Sequence, residues 1–411
     1  METPTGTTHG ADGAAAAARA HGAASGPLQG VRVVEMVGIG PGPFAAMMLA
    51  DLGAEVVRVH RPGGGGLALT TPEQDLLGRG RRSVALDLKD PRGVEAVLQL
   101  VERADVLLEG FRPGVTERLG LGPEDCLARN PALVYGRMTG WGQDGPLAQS
   151  AGHDMNYIAV AGALDSLARR PGDAPTFPMN LLGDFGGGSL YLVAGVLAAL
   201  LHARASGQGQ VVDAAITDGT AHLMTMAVTM QQAGAWDGRR GTNLLGGAAP
   251  FYDVYATADD RHVSVGPLEP QFFATFVELL TEGSDTEIPA QYDLGRWEDM
   301  RAAIAARFAE RTQAEWVEVF DGTDACVHPV LPLAEAYTHP HNVARGTYVQ
   351  HHGVTQPAPA PRFSATPASL GAPPARPGAH TRETLTDWGI DDVESLIRDG
   401  IAVHDPGEDP A

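Results

Sequence analysis

Val31-Arg32-Val33-Val34-Glu35-Met36-Val37-Gly38-Ile39-Gly40-Pro41-Gly42-Pro43-Phe44 is the stretch from which the fold is read. Residues 31–37 are short and β-branched, the signature of a buried strand. Gly and Pro then lead into a helical stretch from Phe44 to Leu52, where Pro43 suits the first turn and Gly53 the C-terminal cap. Ala54 to Val59 reads as a second strand. A strand, tight turn, helix and strand in immediate succession predict a parallel βαβ unit.

The alternation continues outward. Asp90-Pro91 opens a helix to about Arg103, Asp105 to Leu108 is a strand, Pro123 to Arg129 is helical, and Ala132 to Met138 is a further strand. Gly186-Gly187-Gly188 precede a long apolar helix to Ala205, followed by a strand from Gln210 to Ile216. This pattern predicts an α/β fold: a large domain over residues 28–240, completed by 340–411, around a Rossmann-like parallel sheet. Past Gly246 the pattern changes. Phe251–Ala256 and His262–Val265 flank Asp259-Asp260 like a hairpin, and three helical stretches follow, near Gln271–Leu280, Trp297–Glu310 and Gln313–Phe320. A smaller α+β domain is expected over 246–335. Residues 1–27, rich in Ala and Gly, are expected to be a disordered extension, and the Pro- and Ala-rich stretch Pro357–Pro377 to run extended.

The chain has 411 residues and a formal net charge of -21, from 29 Lys+Arg against 50 Asp+Glu. Such a surface repels polyphosphates, which argues against general nucleic-acid binding and makes any local basic cluster informative. Two distant cysteines, Cys126 and Cys326, have no metal-ligand spacing, so no metal site is expected and a reducing, cytoplasmic setting is the default. The most apolar run, Leu190–Leu201, is too short for a bilayer and contains Gly195, so no membrane association is expected. Neither a secretory leader nor a terminal peroxisomal address is read.

Four segments invite chemistry. Gly38–Pro43 resembles a dinucleotide fingerprint, and Arg58 or Arg61 after it suggests an NADP-dependent oxidoreductase; yet its third glycine is one place early. Pro41 and Pro43 also remove N–H donors, so a plain tight turn is favoured. Gly78-Arg79-Gly80-Arg81-Arg82-Ser83 is the densest positive cluster, either a phosphate grip or a solvated turn. In Ala151-Gly152-His153-Asp154-Met155-Asn156-Tyr157 a loop enters a helix, which would put free N–H groups beside an imidazole suited to proton transfer. A lone histidine is more often structural. Asp184, in the Gly-rich Asn180–Gly188, is a helix cap or a functional acid.

Taken together, Leu28–Glu35, Pro41–Ala45, Gly78–Ser83, Leu86–Lys89, Ala151–Tyr157 and Asp184–Gly187 resemble the α-methylacyl-CoA racemases of CoA-transferase family III. Gly247–Tyr252, Glu269–Phe272 and Asp321–Val327 extend the resemblance over nearly the whole ordered chain. It implies that His153 and Asp184 are the catalytic pair and that Glu269 orients and charges His153. It also implies CoA contacts from Arg61 and from Leu86, Asp87, Leu88 and Lys89. Arg79, Arg82 and Arg118 are the implied phosphate partners, and Gly152, Asp154, Met155, Asn156 and Tyr157 the implied substrate-binding segment. The implied assembly is an interlocked homodimer in which one subunit's large domain meets the other's small domain. No cofactor beyond the CoA of an acyl-CoA substrate is implied. His60, where family members tend to have Asp, and the glycines from Gly63 to Gly66 depart from the pattern.

Under this resemblance, His153 and Asp184 exchange an α-proton from opposite faces of a thioester, and the Asp154 backbone N–H holds the enolate oxygen. Met224, Met226 and Met230 form either an apolar floor for the acyl chain or part of the core. The nearest rival is a transferase of the same family, with Asp184 carrying an acyl anhydride. A non-catalytic acyl-CoA binder is more distant.

Overall fold

The computed structural model describes residues 24–63 and 70–405. Residues 1–23 of the expected extension, the glycines Gly64–Gly66 and the last residues from 406 lie outside the described residues. The described end of that extension corrects the expectation of disorder. Ala24 is buried, the Ser25 hydroxyl donates to the Pro367 carbonyl at 2.9 Å, and the Leu28 N–H reaches Leu52 O at 2.8 Å.

The chain forms two compact units. One comprises residues up to Ala161 with Met179–Leu223 and Gly346 onward, the other Gly162–Pro178 with Met224–Arg345. The sequence-based boundaries differ, because residues 162–178, 224–240 and 340–345 join the smaller unit. Arg169 and Arg170 pair there with Asp253 at 2.8 and 2.6 Å, and Arg240 pairs with Asp165 at 3.2 Å.

In the first unit the strands are β1 (Arg32–Met36), β2 (Glu55–His60), β3 (Arg81–Leu86), β4 (Val106–Glu109), β5 (Val134–Thr139) and β6 (Gln210–Ala215). The sheet order is β3-β2-β1-β4-β5-β6, all parallel, with the short strand Ala402–Val403 antiparallel on the β3 edge. Val33 faces a core shared with α1 (Pro41–Asp51) and α5 (Leu190–Ser206). Its neighbour Val34 faces a second core shared with α2 (Pro91–Glu102) and α3 (Pro123–Arg129). Burial on both faces explains why β1 and β2 are nearly continuous in valine. Strand order reverses between β1 and β4, and such a reversal opens a crevice at the carboxyl ends of the strands.

β3 corrects the sequence reading most. Its six residues are all buried, so Arg81, Arg82 and Ser83 are strand residues and not a solvated turn. Arg81 donates to Glu35 at 2.5 Å, and its burial pulls the guanidinium down to about 10. The apolar helix is also longer than expected. A π-helical segment, Leu181–Ser189, runs directly into α5, giving 26 residues that are long and apolar enough to cross a membrane, so the length argument against a span does not hold. Leu192, Val196 and Leu200 of α5 are buried in the sheet core.

In the second unit β7 (Asp253–Ala256), β8 (His262–Val265) and β9 (Val327–Pro329) form an antiparallel sheet. Helices α8 (Pro270–Thr281), α9 (Trp297–Phe308) and α10 (Gln313–Phe320) enclose a core around Phe276, Phe308 and Trp316. Helix α7 (Thr225–Gln232) buries no residue, so the core reading of Met226 and Met230 does not hold, and Met226 is 62% exposed.

Candidate active site

A cavity of 480 Å³ opens at the carboxyl ends of β1, β4 and β5, lined wholly by residues of the first unit. It sits where the strand order reverses, the position that strand topology favours for a ligand. Two buried acids lie in its wall, each neutralised from within the sheet. Glu35 pairs with Arg81 and Arg58, and Glu109 pairs with Arg137 at 2.8 Å while accepting the Phe111 N–H at 2.7 Å. Both His153 and Asp184 line this cavity.

His153 is the N-cap of α4 (Asp154–Val160), so its imidazole stands where the chain leaves a loop. Its own N–H donates to Asn156 Oδ1 at 3.0 Å. The Tyr157 hydroxyl donates to the Gly152 carbonyl, and the Tyr157 ring lies edge-on to Trp141 with centroids 4.8 Å apart. Gly140 and Gly152 are glycines because a Cβ would lie 2.0 and 2.7 Å from the Tyr157 ring. Asn156 and Tyr157, expected as substrate contacts, therefore fix the peptide that carries His153. Asp154 occupies the first helical position, where the backbone N–H has no partner within the helix.

Asp184 lies within the first turn of the π-helical segment, whose cap is Asn180, so the expected reading of Asp184 as a helix cap does not hold. Insertions of this kind recur at functional sites because they redirect a side chain within an otherwise regular helix. The Ser189 hydroxyl donates to the Asp184 carbonyl at 2.9 Å and also to Pro41 O at 2.8 Å. Phe185 stacks on Phe44 at 4.3 Å, and Gly187 lets the segment approach α6 (Ile216–Leu223), where a Cβ would meet Thr220 Oγ1 at 2.5 Å. Gly40 has φ 70°, and a Cβ there would lie 3.1 Å from Asp184 Oδ2. The glycine-rich turn after β1 thus makes room for the Asp184 carboxylate.

Burial pushes the Asp184 carboxyl up to about 6; the nearby Asp154 charge adds to the rise, while the Asn180 amide and His153 oppose it. Asn180 Nδ2 stands 3.4 Å from Asp184 Oδ2. An acid poised near neutrality exchanges protons in both directions, as a group that must alternately give and take one requires.

Arg79 and Arg82 are not free for phosphate. Arg79 binds both oxygens of Asp51 at 3.1 and 2.6 Å and Gln356 at 3.0 Å, all buried, and Arg82 binds Asp387 at 2.8 Å and Glu55 at 3.4 Å. The Leu86 side chain is wholly buried, and its strand is closed by Ala402, so it offers no side-chain contact either. Asp87 accepts the Lys89 N–H at 3.0 Å, and Leu88 packs against the core. Arg61, Lys89 and Arg118 are exposed, the first just past β2 and the last at the end of a one-turn helix after β4. Met155 is 43% exposed. The residue that the sequence reading missed is Arg112, exposed and lining the cavity just past β4. Its signal was an arginine before Pro113 at a strand's carboxyl end. Glu269 is exposed in the second unit, immediately before α8. Among the described residues no three His, Cys, Asp or Glu side chains are grouped to hold a metal ion.

Residues 28–381 match the CoA-transferase family III. The chain belongs to that family. It is 46% identical over 371 residues to the alpha-methylacyl-CoA racemase of Mus musculus, covering 90% of this chain and 95% of that protein. Identity to the alpha-methylacyl-CoA racemase of Homo sapiens is 45% over 379 residues, covering 91% and 97%. A CAIB/BAIF family protein from Brucella suis has the same fold, with a TM-score of 0.76 and 25% identity over 89% of this chain and all of that one. The expected family III fold is therefore present, while the sheet expected to be parallel is mixed, its β3 edge carrying the antiparallel strand Ala402–Val403.

Proposed function

We propose that this enzyme interconverts (2R)- and (2S)-2-methylacyl-CoA thioesters by removing and returning the α-proton. The observation that carries the reading is the joining of His153 and Asp184 in one cavity within a chain so similar to the mouse and human racemases. The α-hydrogen is acidified because the enolate puts its charge on the thioester oxygen, beside the Asp154 N–H at the start of α4. In one direction neutral His153 takes the proton and protonated Asp184 delivers another to the opposite face. In the other direction the roles reverse, and each turnover leaves the pair in the opposite protonation state.

The assembly we propose is a homodimer in which the small unit of a second copy brings Glu269 to His153. Leu190, Leu201 and Leu223 on the first unit are exposed at 47, 72 and 46%, apolar surface that an interface would cover. Mixing a His153→Ala chain with a Glu269→Ala chain tests it: an intertwined dimer regains activity that neither variant has alone. Arg61, Lys89, Arg118 and Arg112 are the cations we assign to CoA. We place the enzyme in the cytoplasm, a setting that suits the two unpaired cysteines among the described residues and that cell fractionation tests.

A single enantiomer of a 2-methylacyl-CoA, incubated in heavy water, tests the reaction. The expected result is α-deuterium incorporation with loss of optical purity. His153→Ala or Asp184→Asn should reduce the rate by about 10²–10⁴-fold. Transfer of CoA to an added free acid without α-exchange would instead identify a transferase working through an Asp184 anhydride.

A further inference from the structure

Asp154 follows His153 in sequence, yet its side chain points away from solvent and is only 7% exposed. Its Oδ1 accepts the Asp184 N–H at 2.6 Å, and the Gly183 N–H also bonds to this carboxylate. Oδ2 is buried without a hydrogen-bond partner. Position 183 is built around this contact, since a Cβ on Gly183 would lie 2.4 Å from Asp154 Oδ1 and 2.8 Å from its Cγ. A buried carboxylate with an unsatisfied oxygen is costly, and such an arrangement persists where it serves a site.

We propose that the Asp154 carboxylate is a positioning residue for proton transfer: it clamps the peptide of Asp184 to the helix that carries His153, and its fixed negative charge favours the protonated form of Asp184. This rests on the racemase reading of the site. The clamp sets the separation of the two proton carriers, because one side chain is adjacent to His153 in sequence and bonded to Asp184 through its main chain. The charge acts in the same place. Burial raises the Asp154 carboxyl, while the two peptide N–H groups lower it. The Asn180 amide faces Asp184 from the residue before the π-helical segment. From α4 the facing groups are His153 and Tyr157; the turn before α1 contributes the uncharged Gly40; and α6 meets the π-helical segment through Ile216, Thr220 and Leu223. Of the titratable groups on α6, Asp218 acts on Asp213 and His222 bonds the Tyr191 hydroxyl.

Asp154→Asn separates the two effects, because the amide oxygen still accepts the Asp184 N–H while the charge is gone. The assay is α-deuterium exchange from each enantiomer across pH, on the full-length enzyme. The expected result is a folded protein with KM within about threefold of wild type. Its Asp184-dependent limb should move to lower pH, and its rate at neutral pH should fall by about tenfold or more. Asp154→Ala, which also loses the acceptor, should be slower still. A wild-type rate and pH profile in Asp154→Asn would overturn the proposal. Should both variants fail to fold, ¹³C-carboxyl NMR of the wild-type enzyme decides, with Asp184 assigned by its loss in Asp184→Asn. Coupled titration, in which the Asp184 carboxyl shifts as Asp154 takes up its proton, supports the charge effect, and independent titration of the two carboxyls overturns it. Absence of exchange in wild type would instead sink the racemase reading itself.

Discussion

Asp184→Asn should stabilise the enzyme at neutral pH while abolishing its activity. In the folded protein the Asp184 carboxyl is raised from 3.8 to about 6, chiefly by burial. The folded state therefore binds this proton more tightly than the unfolded chain does. The associated stability is fully present below the unfolded value of 3.8 and is lost as pH rises through the folded value of about 6. At about 1.4 kcal/mol per pKa unit the ionised side chain costs roughly 3 kcal/mol at neutral pH. Partial solvent access screens the charge and leaves an expected net effect of about 1–2 kcal/mol. Asparagine keeps the shape and the main-chain bond to Asp154, and it removes that ionisation. The assay is thermal unfolding of both proteins in parallel across pH. The variant should melt about 2–4 °C higher above pH 7, and the difference should shrink towards zero near pH 4. A difference that stays flat with pH, or a variant less stable at neutral pH, would refute the reasoning that burial and not hydrogen bonding dominates at this carboxyl.

Tyr157→Phe removes the hydroxyl that holds the Gly152 carbonyl; the expected cost is about 1 kcal/mol in stability, with a larger proportional loss in exchange rate than in KM. Gly140→Ala would press a methyl into the Tyr157 ring, and thermal melting should report a loss of about 1–3 kcal/mol or more. Arg79→Ala should cost about 3–5 kcal/mol by stranding the buried Asp51 carboxylate. Arg112→Ala should leave the melting temperature unchanged and raise KM for acyl-CoA by about tenfold, as loss of one charge-assisted contact would. Equal KM effects from Arg79→Ala and Arg112→Ala, measured on folded protein, would contradict the division of these arginines into structural and ligand-facing groups.

Local pattern was enough for β1, α1 and β2, because a valine run buried on both sides and a Pro-started helix leave few alternatives. It was also enough for the hairpin β7–β8 and for α8 to α10, whose apolar spacing matches the core that they enclose. His153 at a helix start was legible from Gly152 and the apolar residues that follow. β3 was not legible, since Arg81 and Arg82 look solvated until Glu35, Glu55 and Asp387 arrive from distant parts of the chain to neutralise them. The π-helical start at Leu181 was hidden for a similar reason: it depends on the Pro41 carbonyl that accepts the Ser189 hydroxyl and on the approach of α6, neither of them near it in sequence. The sequence by itself determined the alternating α/β order and the residues able to move a proton. Only the tertiary structure decided which arginines are available to a ligand, and that Asp154 ties His153 to Asp184. Burial and pairing belong to contacts between distant segments, and no local window of residues contains them.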